Sequence, residues 1–416
     1  MNSPTLGIPR FSSPLNRTIG DDVRIPERIE IGLEPGLQFE LAGPRTKLFF
    51  DPKQTRAGIV TCGGLCPGLN DVIRSLFHQL HHAYGVKEVL GFRGGYQGLD
   101  PARGAEPIVL TSVFVDNIHR EGGTVLGTSR GPVDVGLAVD NLIKREVNIL
   151  FTIGGDGTQR GGNELFQEAK KRGHALAVVG IPKTVDNDVA FVARTFGYLT
   201  AVQEAGKVLD RAHTEARSVE NGIALVKLMG RHAGFLAAGA TVASQDVNFT
   251  LVPEVPFKLE GDRGFLNALK QRVLKRAHAV VVVAEGAGQD LLAASGAERD
   301  ASGNVKLQDI GLFLRERIEA YFKAEKVPVV MRYFDPSYIV RSSPANSEDS
   351  ILCDLFARHA AHAAMAGKTG LVIGYLHDRF IHVPIELLAS RKKHMDPDGF
   401  AWSAVLAATG QPERFE

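Results

Sequence analysis

Short runs of apolar, mostly β-branched residues recur along the chain, and each ends in a Gly- or Asp-rich turn before a helical pattern begins. The runs are unbroken rather than alternating, which is typical of strands buried on both faces of a parallel sheet. Strands that alternate with helices place those helices on both sides of the sheet. The pattern therefore predicts an α/β protein with largely parallel sheets.

The predicted strands are 57–62, 88–92, 148–153, 175–181, 222–227, 247–252, 279–284 and 371–373. The predicted helices are 70–84, 161–172, 201–216, 263–276, 308–323 and 346–367. Ligands of such folds bind beyond the carboxyl ends of the strands, so the turns that follow the strands are the first places to look for a site.

Composition restricts the classes of function. The chain has 416 residues, enough for two or three domains, and a formal net charge of +1, which gives no field for nucleic acid or an anionic membrane. Three cysteines make no disulfide framework and suit a reducing compartment. Residues 1–20 lack the layout of a signal peptide, and no apolar run approaches the roughly 20 residues that span a bilayer. We therefore expect a cytoplasmic protein.

Residues 148–160, NILFTIGGDGTQR, place glycines, an Asp and a Thr directly after an apolar strand. Glycines let the backbone approach phosphate oxygens, and the amides at the following helix start can donate to them. Asp156 is placed to hold Mg²⁺ through water. A plain glycine-rich turn between strand and helix remains the alternative.

Two further turns carry chemistry of the same kind. Residues 61–70, TCGGLCPGLN, offer a second glycine-rich cradle or a simple turn. Residues 182–188, PKTVDND, hold two carboxylates two positions apart, which would face the same way in an extended segment. A cation or a transferable proton would relieve their repulsion, so one could act as base while the other positions a metal. An Asx-rich turn is the alternative.

Several basic residues also follow strands or turns. An Arg in the turn GTSR, residues 127–130, can bridge charged oxygens during phosphoryl transfer, although a surface Arg is the alternative. The segment RYFDPSYIVR, residues 332–341, could clamp a second phosphate with its arginines or be a solvated loop. Arg231 follows a Gly at a helix start, and Glu285 lies just past a strand of valines.

Three common ways of binding nucleotides are missing from the sequence. It has no G-x-x-x-x-G-K-[ST] loop, no protein-kinase catalytic-loop pattern and no dinucleotide fingerprint. Phosphate handling must therefore use another scaffold.

Taken together, the motifs resemble the phosphofructokinase family, in the same order over about residues 55–385. They are GGLCPGLN, GYQGL, GTSRG, GGDGTQRGG, PKTVDND, LMGRHAGFLA, PEVPF, AEGAGQ and YIVRSSPANSEDS. PKTVDND and YIVRSSPANS are similar to the longer ATP-dependent branch of plants and trypanosomatids. The resemblance implies phosphoryl transfer from MgATP to the 1-hydroxyl of fructose 6-phosphate.

The resemblance also implies roles for individual residues. Asp186 would be the general base, with Arg130 stabilising the transferred group and Thr184 as the third catalytic residue. Asp156 and Asp188 would organise Mg²⁺. The nucleotide site would consist of Gly63, Tyr96, Arg130, Gly155, Gly157 and Thr158. The sugar-phosphate site would consist of Thr184, Asp186, Met229, Gly230, Arg231, Glu285, Arg332, Tyr338 and Arg341.

The phosphoryl donor depends on two positions. Family members that use pyrophosphate typically carry an Asp where this chain has Gly157, and that carboxylate would crowd the α-phosphate of a nucleotide. Gly157 therefore favours ATP, whereas Lys183 is shared with the pyrophosphate enzymes. A pyrophosphate-dependent enzyme and a catalytically silent sugar-phosphate sensor remain alternatives. An NAD or diacylglycerol kinase shares the GGDGT turn but lacks the MGR and PANS segments.

For the domains, the resemblance implies two Rossmann-like three-layer αβα domains with the active site in the cleft between them. Residues 1–50 would be an N-terminal extension. Residues 51–197, completed by part of 340–390, would bind the nucleotide, and residues 198–339, completed by the C-terminal segment, would bind the sugar phosphate. A homo-oligomer is expected, with a tetramer favoured. Arg332 matches a family Arg that in some members reaches across a subunit interface.

Overall fold

The computed structural model of the chain describes residues 3–16, 18–19, 24–26, 38–292 and 307–416. The chain divides into two compact units, each assembled from separate stretches. Unit 1 comprises Met1–Thr184, Val189–Gly197 and Ser342–Lys392, and unit 2 comprises Val185–Asp188, Tyr198–Arg341 and Lys393–Glu416.

Unit 1 is built on a nine-stranded sheet with a parallel centre and antiparallel edges. Its spatial order is Arg24–Pro26, Gln38–Leu41, Arg379–Pro384, Leu371–Leu376, Ala177–Pro182, Ile149–Gly154, Arg56–Thr61, Glu88–Gly91 and Ile108–Val109. The central strands are buried along their whole length, as their unbroken apolar sequences predict. A separate antiparallel pair joins Phe11–Ser12 to Lys47–Leu48.

The helices of unit 1 are Leu69–Phe77, Ser112–Val115, Val135–Lys144, Asp156–Lys171, Ser347–Met365 and Ile385–Ala389. Leu69–Phe77 packs against Ser347–Met365 and continues as a π-helix over His78–Tyr84. Asn346 begins Ser347–Met365, because its side chain accepts a hydrogen bond from the Asp349 backbone N–H at 3.0 Å. Short 3₁₀ turns occupy Pro52–Gln54, Gly95–Leu99 and Ile118–Arg120.

Unit 2 has a four-stranded, fully parallel sheet in the order Phe249–Leu251, His278–Ala284, Gly222–Leu228 and Val330–Phe334. Its helices are Tyr198–Arg217, Phe235–Ser244, Phe265–Arg276, Ile310–Ala324 and Phe400–Thr409, and a 3₁₀ turn covers Gln289–Leu291.

The last stretch of the chain completes unit 2. Helix Phe400–Thr409 packs against Phe235–Ser244. Gln411 exchanges two hydrogen bonds with the backbone of Thr250, which lies in an edge strand. Phe415 is buried, and its ring lies 5.6 Å from that of Phe265, centroid to centroid. The C-terminal residues are therefore part of the core of this unit.

The α/β prediction with largely parallel sheets is confirmed. Part of residues 1–50 belongs to the sheet of unit 1, since Gln38–Leu41 pairs with Arg379–Pro384. Residues 1–2, 17, 20–23 and 27–37 of the expected N-terminal extension lie outside the described residues. In the described ranges, no helix combines the length and the apolar character that crossing a bilayer requires.

Candidate active site

Three parallel strands of unit 1 end side by side. In the register of the sheet Thr61 lies opposite Ile153, and Gly154 lies opposite Pro182. The three motif-bearing turns of this unit therefore leave the sheet at one edge. This edge is the carboxyl end of the strands, where open α/β sheets bind their ligands.

The turn after the first of these strands is held by hydrogen bonds from two other loops. Gly63 has a φ of 82°, which favours glycine. Its carbonyl accepts from the Thr128 hydroxyl at 2.7 Å, and its N–H donates to the Ser129 carbonyl at 3.1 Å. The buried Lys183 donates from Nζ to the Gly64 carbonyl at 2.6 Å. The GGLC, GTSR and PKT segments are thus joined around one turn.

Arg130 lies at the end of this joined group. The loop before it is fixed to a strand end, since the Thr61 hydroxyl donates to the Gly127 carbonyl at 2.7 Å. The Arg130 side chain itself is exposed. A rigid loop thereby presents a guanidinium, which can bind oxygens of a phosphate, to solvent.

The predicted phosphate turn is the start of a helix. Helix Asp156–Lys171 begins two residues after strand Ile149–Gly154, with Gly155 as its N-cap. It starts earlier than the predicted 161–172, so Asp156 and Thr158 lie in its first turn. The backbone N–H groups and the dipole at a helix N-terminus both favour an anion.

Two glycines of this turn have contrasting surroundings. A Cβ on Gly154 would lie 2.2 Å from the Thr158 hydroxyl, so the position admits no side chain without movement. A Cβ on Gly157 would meet only the Arg160 Nη2, at 3.8 Å. Gly157 is exposed, so the space beside it is open to a ligand.

Tyr96 packs beneath the phosphate turn. Its hydroxyl donates to the Thr158 carbonyl, and a Cβ on Gly161 would lie 2.7 Å from its ring. Its side chain is buried, and burial raises the pKa of the phenol well above its usual value. In this structure Tyr96 supports the helix start through that hydrogen bond.

Gln159 is a site residue that the sequence reasoning missed. Its Nε2 donates to the Gly154 carbonyl at 2.9 Å and to the Ile181 carbonyl at 3.3 Å. Its Oε1 accepts from the Thr152 hydroxyl at 3.2 Å. The amide therefore ties two strand ends together. A single Gln after the GGDGT motif carried no signal by itself.

The PKTVDND segment passes from unit 1 to unit 2. Thr184 closes the first stretch of unit 1, and its carbonyl accepts from the Thr195 hydroxyl at 2.8 Å. Asp186 and Asp188 belong to unit 2 and are both half-buried. Asn187 between them has a φ of 55°, so the segment turns there. The premise of an extended segment, which would point both carboxylates the same way, is therefore wrong.

In unit 2 the motif MGR and the segment after the valine strand leave the sheet together. The Glu285 N–H donates to the Leu228 carbonyl at 2.9 Å, and the Gly286 N–H donates to the Gly230 carbonyl at 3.0 Å. Gly230 has a φ of 128°. Met229 lies between these contacts, so the two strand ends form one paired turn.

The charges of Glu285 and Arg231 interact in this turn. Burial raises the pKa of the Glu285 carboxyl, while the positive charges of Arg231 and Lys227 partly oppose that rise. A carboxyl group whose pKa is raised by burial and lowered by nearby cations can form a hydrogen bond with a hydroxyl group.

The two arginines of the RYFDPSYIVR segment are separated. Arg341 stacks on the exposed ring of Tyr338, with its guanidinium carbon 4.7 Å from the ring centroid. Arg332 lies inside strand Val330–Phe334, opposite Ala224 and two positions before the last residue of the strand. It pairs with Glu215 at 3.5 Å. Tyr338 and Arg341 thus form a stacked pair, and Arg332 forms an ion pair with Glu215.

Lys227 organises the base of this region and was not predicted. Its ammonium lies 2.8 Å from Asp309 and 2.9 Å from Asp335. Although burial disfavours the charge, these two hydrogen bonds hold the pKa of Lys227 above its ordinary value. It links the start of helix Ile310–Ala324 to the loop that carries Tyr338.

The oxygen ligands present suit a magnesium ion that a bound phosphate would also coordinate. The described residues contain no group of three or more His, Cys, Asp or Glu side chains arranged for a metal. Mg²⁺ prefers oxygen ligands and commonly uses one or two carboxylates together with waters and substrate phosphates. Asp156, in the first turn of a helix, offers such a carboxylate.

Comparison with known proteins gives a consistent result. Residues 56–364 match the family model described as Phosphofructokinase. The chain is 47% identical to the ATP-dependent 6-phosphofructokinase of Borreliella burgdorferi, covering 90% of this chain and 85% of the relative. It is 42% identical to ATP-dependent 6-phosphofructokinase 7 of Arabidopsis thaliana, covering 99% of this chain and 85% of the relative. It is 47% identical to the Trypanosoma brucei brucei enzyme of the same activity, over 89% and 76%.

Solved structures agree on the fold. A pyrophosphate-dependent phosphofructokinase from Marinobacter aquaeolei has a TM-score of 0.69 at 20% identity, covering 87% of this chain and 93% of the other. The Pichia pastoris phosphofructokinase has a TM-score of 0.66 at 21% identity, covering 85% of this chain and 37% of the other.

Proposed function

The chain belongs to the phosphofructokinase family, and from this premise we infer that it transfers the γ-phosphoryl group of ATP to the 1-hydroxyl of fructose 6-phosphate. The products are fructose 1,6-bisphosphate and ADP, as in glycolysis. The observation that carries this inference is the open helix start of Asp156–Lys171 at the shared edge of three strand ends. Such an edge can bind a chain of phosphates along backbone N–H groups.

On the nucleotide side, unit 1 supplies the donors. We assign the phosphates to the backbone around Gly63, Gly155 and Gly157, with Thr158 in the same turn. Arg130 stabilises the charge that spreads over the transferred group, because a guanidinium binds two oxygens at once. The bond from Tyr96 to the Thr158 carbonyl supports this turn.

On the sugar side, unit 2 supplies the base and most of the acceptor site. Asp186 takes the proton of the 1-hydroxyl as the oxygen attacks the γ-phosphorus. Met229, Gly230, Arg231 and Glu285 bind the sugar, and Thr184 of unit 1 binds it from the neighbouring segment. The sugar phosphate is assigned to Tyr338 and Arg341, whose stacked arrangement supports that role.

We assign Mg²⁺ to Asp156 and Asp188. A magnesium ion would neutralise charge on the β- and γ-phosphates when bound. Asp156 is favoured for this role by its place in the first helical turn, and Asp188 by its half-buried carboxylate.

Donor choice rests on Gly157 and Lys183. The open space beside Gly157 supports ATP, and the three similar relatives from bacterium, plant and trypanosome are all described as ATP-dependent. Lys183 keeps pyrophosphate as the second candidate donor. Its ammonium donates to the Gly64 carbonyl, so the residue has a structural task independent of the donor.

One steady-state experiment tests the function. The purified protein is assayed with fructose 6-phosphate and Mg²⁺, with ATP in one series and pyrophosphate in the other. We expect fructose 1,6-bisphosphate with ATP and at most a trace with pyrophosphate. Product from pyrophosphate alone would replace the proposal by the second candidate, and no product from either donor would favour a sugar-phosphate sensor.

Assembly and location follow the family. We propose a homo-oligomer, with a tetramer favoured, in which Arg332 acts on the site of a neighbouring subunit. Its exposed position inside a strand, away from Arg341, supports this assignment. We propose a cytoplasmic location, which suits three free, buried cysteines.

A further inference from the structure

Residues 393–395 contact three segments of unit 2 in succession. The Lys393 N–H donates to the Asp188 carbonyl at 3.3 Å. The His394 Nδ1 donates to the His232 carbonyl at 2.9 Å. The Met395 N–H donates to Glu254 Oε1 at 2.8 Å. We call these three residues the C-terminal strap.

The strap joins two segments that the proposed function uses. One is Val185–Asp188, which holds the assigned base and a metal-binding Asp. The other is residues 229–234, the MGRHAG loop. Glu254 strengthens this second contact, because its carboxylate also accepts from the Gly234 N–H at 3.0 Å. Both segments are therefore held against one short piece of backbone.

The side chain of Lys393 adds a contact to these backbone hydrogen bonds. Its ammonium lies 4.8 Å from the centroid of the Phe235 ring, and Phe235 begins the helix after the loop. Burial lowers the pKa of Lys393 to about 8, and the Asp188 charge opposes that fall. Burying an ammonium is costly, so its charge needs compensation from such neighbours.

A fixed cation has a clear use here. The proposed reaction gathers Asp186, Asp188 and phosphate groups, whose like charges repel one another, so a cation beside them favours a single arrangement. We propose that Lys393 is a positioning residue for the phosphoryl transfer: its backbone N–H binds the Asp188 carbonyl while its ammonium packs on the Phe235 ring, and together these contacts hold the Val185–Asp188 segment in its reactive arrangement. The proposal rests on the proposed function and adds a residue to its site.

The test compares three variants. Lys393→Met keeps the length and apolar stem but removes the charge. Lys393→Arg keeps the charge, and Lys392→Met is the matched control at the exposed neighbouring position. For each, kcat, KM for both substrates, the unfolding midpoint and amide hydrogen exchange are measured on the full chain with ATP, fructose 6-phosphate and Mg²⁺.

We expect Lys393→Met to lower kcat by about 10- to 100-fold, the range seen when groups that orient ligating residues are removed. KM for fructose 6-phosphate should change by less than about threefold and the unfolding midpoint by only a few degrees. Lys393→Arg should recover most of kcat, and Lys392→Met should match wild type. Without ligands, amides in Val185–Asp188 should exchange about fivefold faster in Lys393→Met, while those in strand His278–Ala284 stay unchanged.

The two readouts separate two failures. An inactive wild type with faster exchange in Lys393→Met would reject the proposed reaction but keep the positioning contact. An active wild type with unchanged kcat and exchange in Lys393→Met would reject the inference alone. A parallel loss of kcat and stability that Lys393→Arg does not restore would also reject it, since the residue would then be purely structural.

Discussion

At the scale of single residues, two glycines three positions apart, Gly154 and Gly157, have different roles. Gly154 has no room for a side chain because its own turn fills that space, whereas Gly157 borders open space. The first is required by the fold and the second is available to a ligand. Substitutions at Gly157 can therefore report on the ligand without a large effect on stability.

Gly157→Asp is expected to raise KM for ATP or lower kcat with ATP sharply, because the new carboxylate would repel the nucleotide phosphates. Gly157→Ala is the matched control, since it adds volume without charge and should keep most of the ATP activity. Both variants should unfold near the wild-type midpoint. Initial-rate assays with ATP and with pyrophosphate measure the effect, and ATP kinetics unchanged in Gly157→Asp would refute the donor argument.

Asp186→Ser is expected to lower kcat by about 10²- to 10⁴-fold, the usual contribution of a general base. Binding of fructose 6-phosphate, measured by calorimetry, should survive because the sugar has other partners. Asp210→Ser, at an exposed helix position of the same unit, should leave both quantities unchanged. Near-normal turnover in Asp186→Ser would rule out the base assignment.

At the scale of elements, the sequence predicted best where burial is complete. Strands Ile149–Gly154, Ala177–Pro182 and His278–Ala284 were predicted within two residues at each end because their apolar runs are unbroken. The prediction for strand Leu371–Leu376 ended three residues early, at position 373. Strands Val330–Phe334 and Arg379–Pro384 were missed. Arg332 interrupts the apolar run of the first, the second begins with Arg379 and contains His382, and the sequence does not show which strands they pair with. Helix Phe235–Ser244 was missed because it lacks a polar face.

The same limit applied to the site. The turns proposed to bind phosphate could be located because their residue types are unusual for a strand end. The support from Gln159 and Lys227 could not, since each makes contacts that only the folded sheet creates. Lys393 lies more than 200 positions from Asp188, so its contact with the segment carrying the proposed base left no local pattern.

Tyr96→Phe is expected to weaken the start of helix Asp156–Lys171, because the Thr158 carbonyl loses its donor while the ring packing remains. A lost hydrogen bond of this kind costs about 1 kcal/mol of unfolding free energy. KM for ATP should rise severalfold and KM for fructose 6-phosphate should not. Tyr375→Phe, which loses a bond to Asp378 in an exposed turn, is the control and should leave both KM values unchanged. Equal effects of the two variants on KM for ATP would contradict the role given to Tyr96.

At the scale of the whole molecule, helix Ser347–Met365 carries the half-buried His359 and the buried His362. Burial lowers the pKa of His359 to about 4 and that of His362 to about 3. The His359 ring stacks on Phe380, and His362 Nδ1 lies 2.7 Å from the Tyr84 hydroxyl. Both are therefore neutral in the folded protein over the pH range where an exposed histidine becomes charged.

Unfolding free energy is expected to fall as pH decreases from 7.5 to 5. In the unfolded chain His359 and His362 bind protons near pH 6.5, whereas in the folded chain they stay neutral until lower pH. Protonation of these two histidines therefore favours unfolding over that interval. Each histidine contributes a loss of about 2 kcal/mol by pH 5. Urea titrations at several pH values measure the slope. His359→Asn should reduce it, the exposed His81→Asn should not, and a flat profile would contradict the burial argument.

The docking of Gln411 and Phe415 into unit 2 has a consequence for synthesis. Translation supplies residues 198–341 early, then the last stretch of unit 1, and only then the residues that finish the second core. Until these arrive, the edge strand Phe249–Leu251 lacks its hydrogen bonds with Gln411, and the Phe265 ring lacks its contact with Phe415. Nascent chains therefore carry an uncovered strand edge and apolar surface for a definite interval, a state in which chaperones bind and aggregation competes with folding. The order of translation thus leaves unit 2 to complete its core after unit 1.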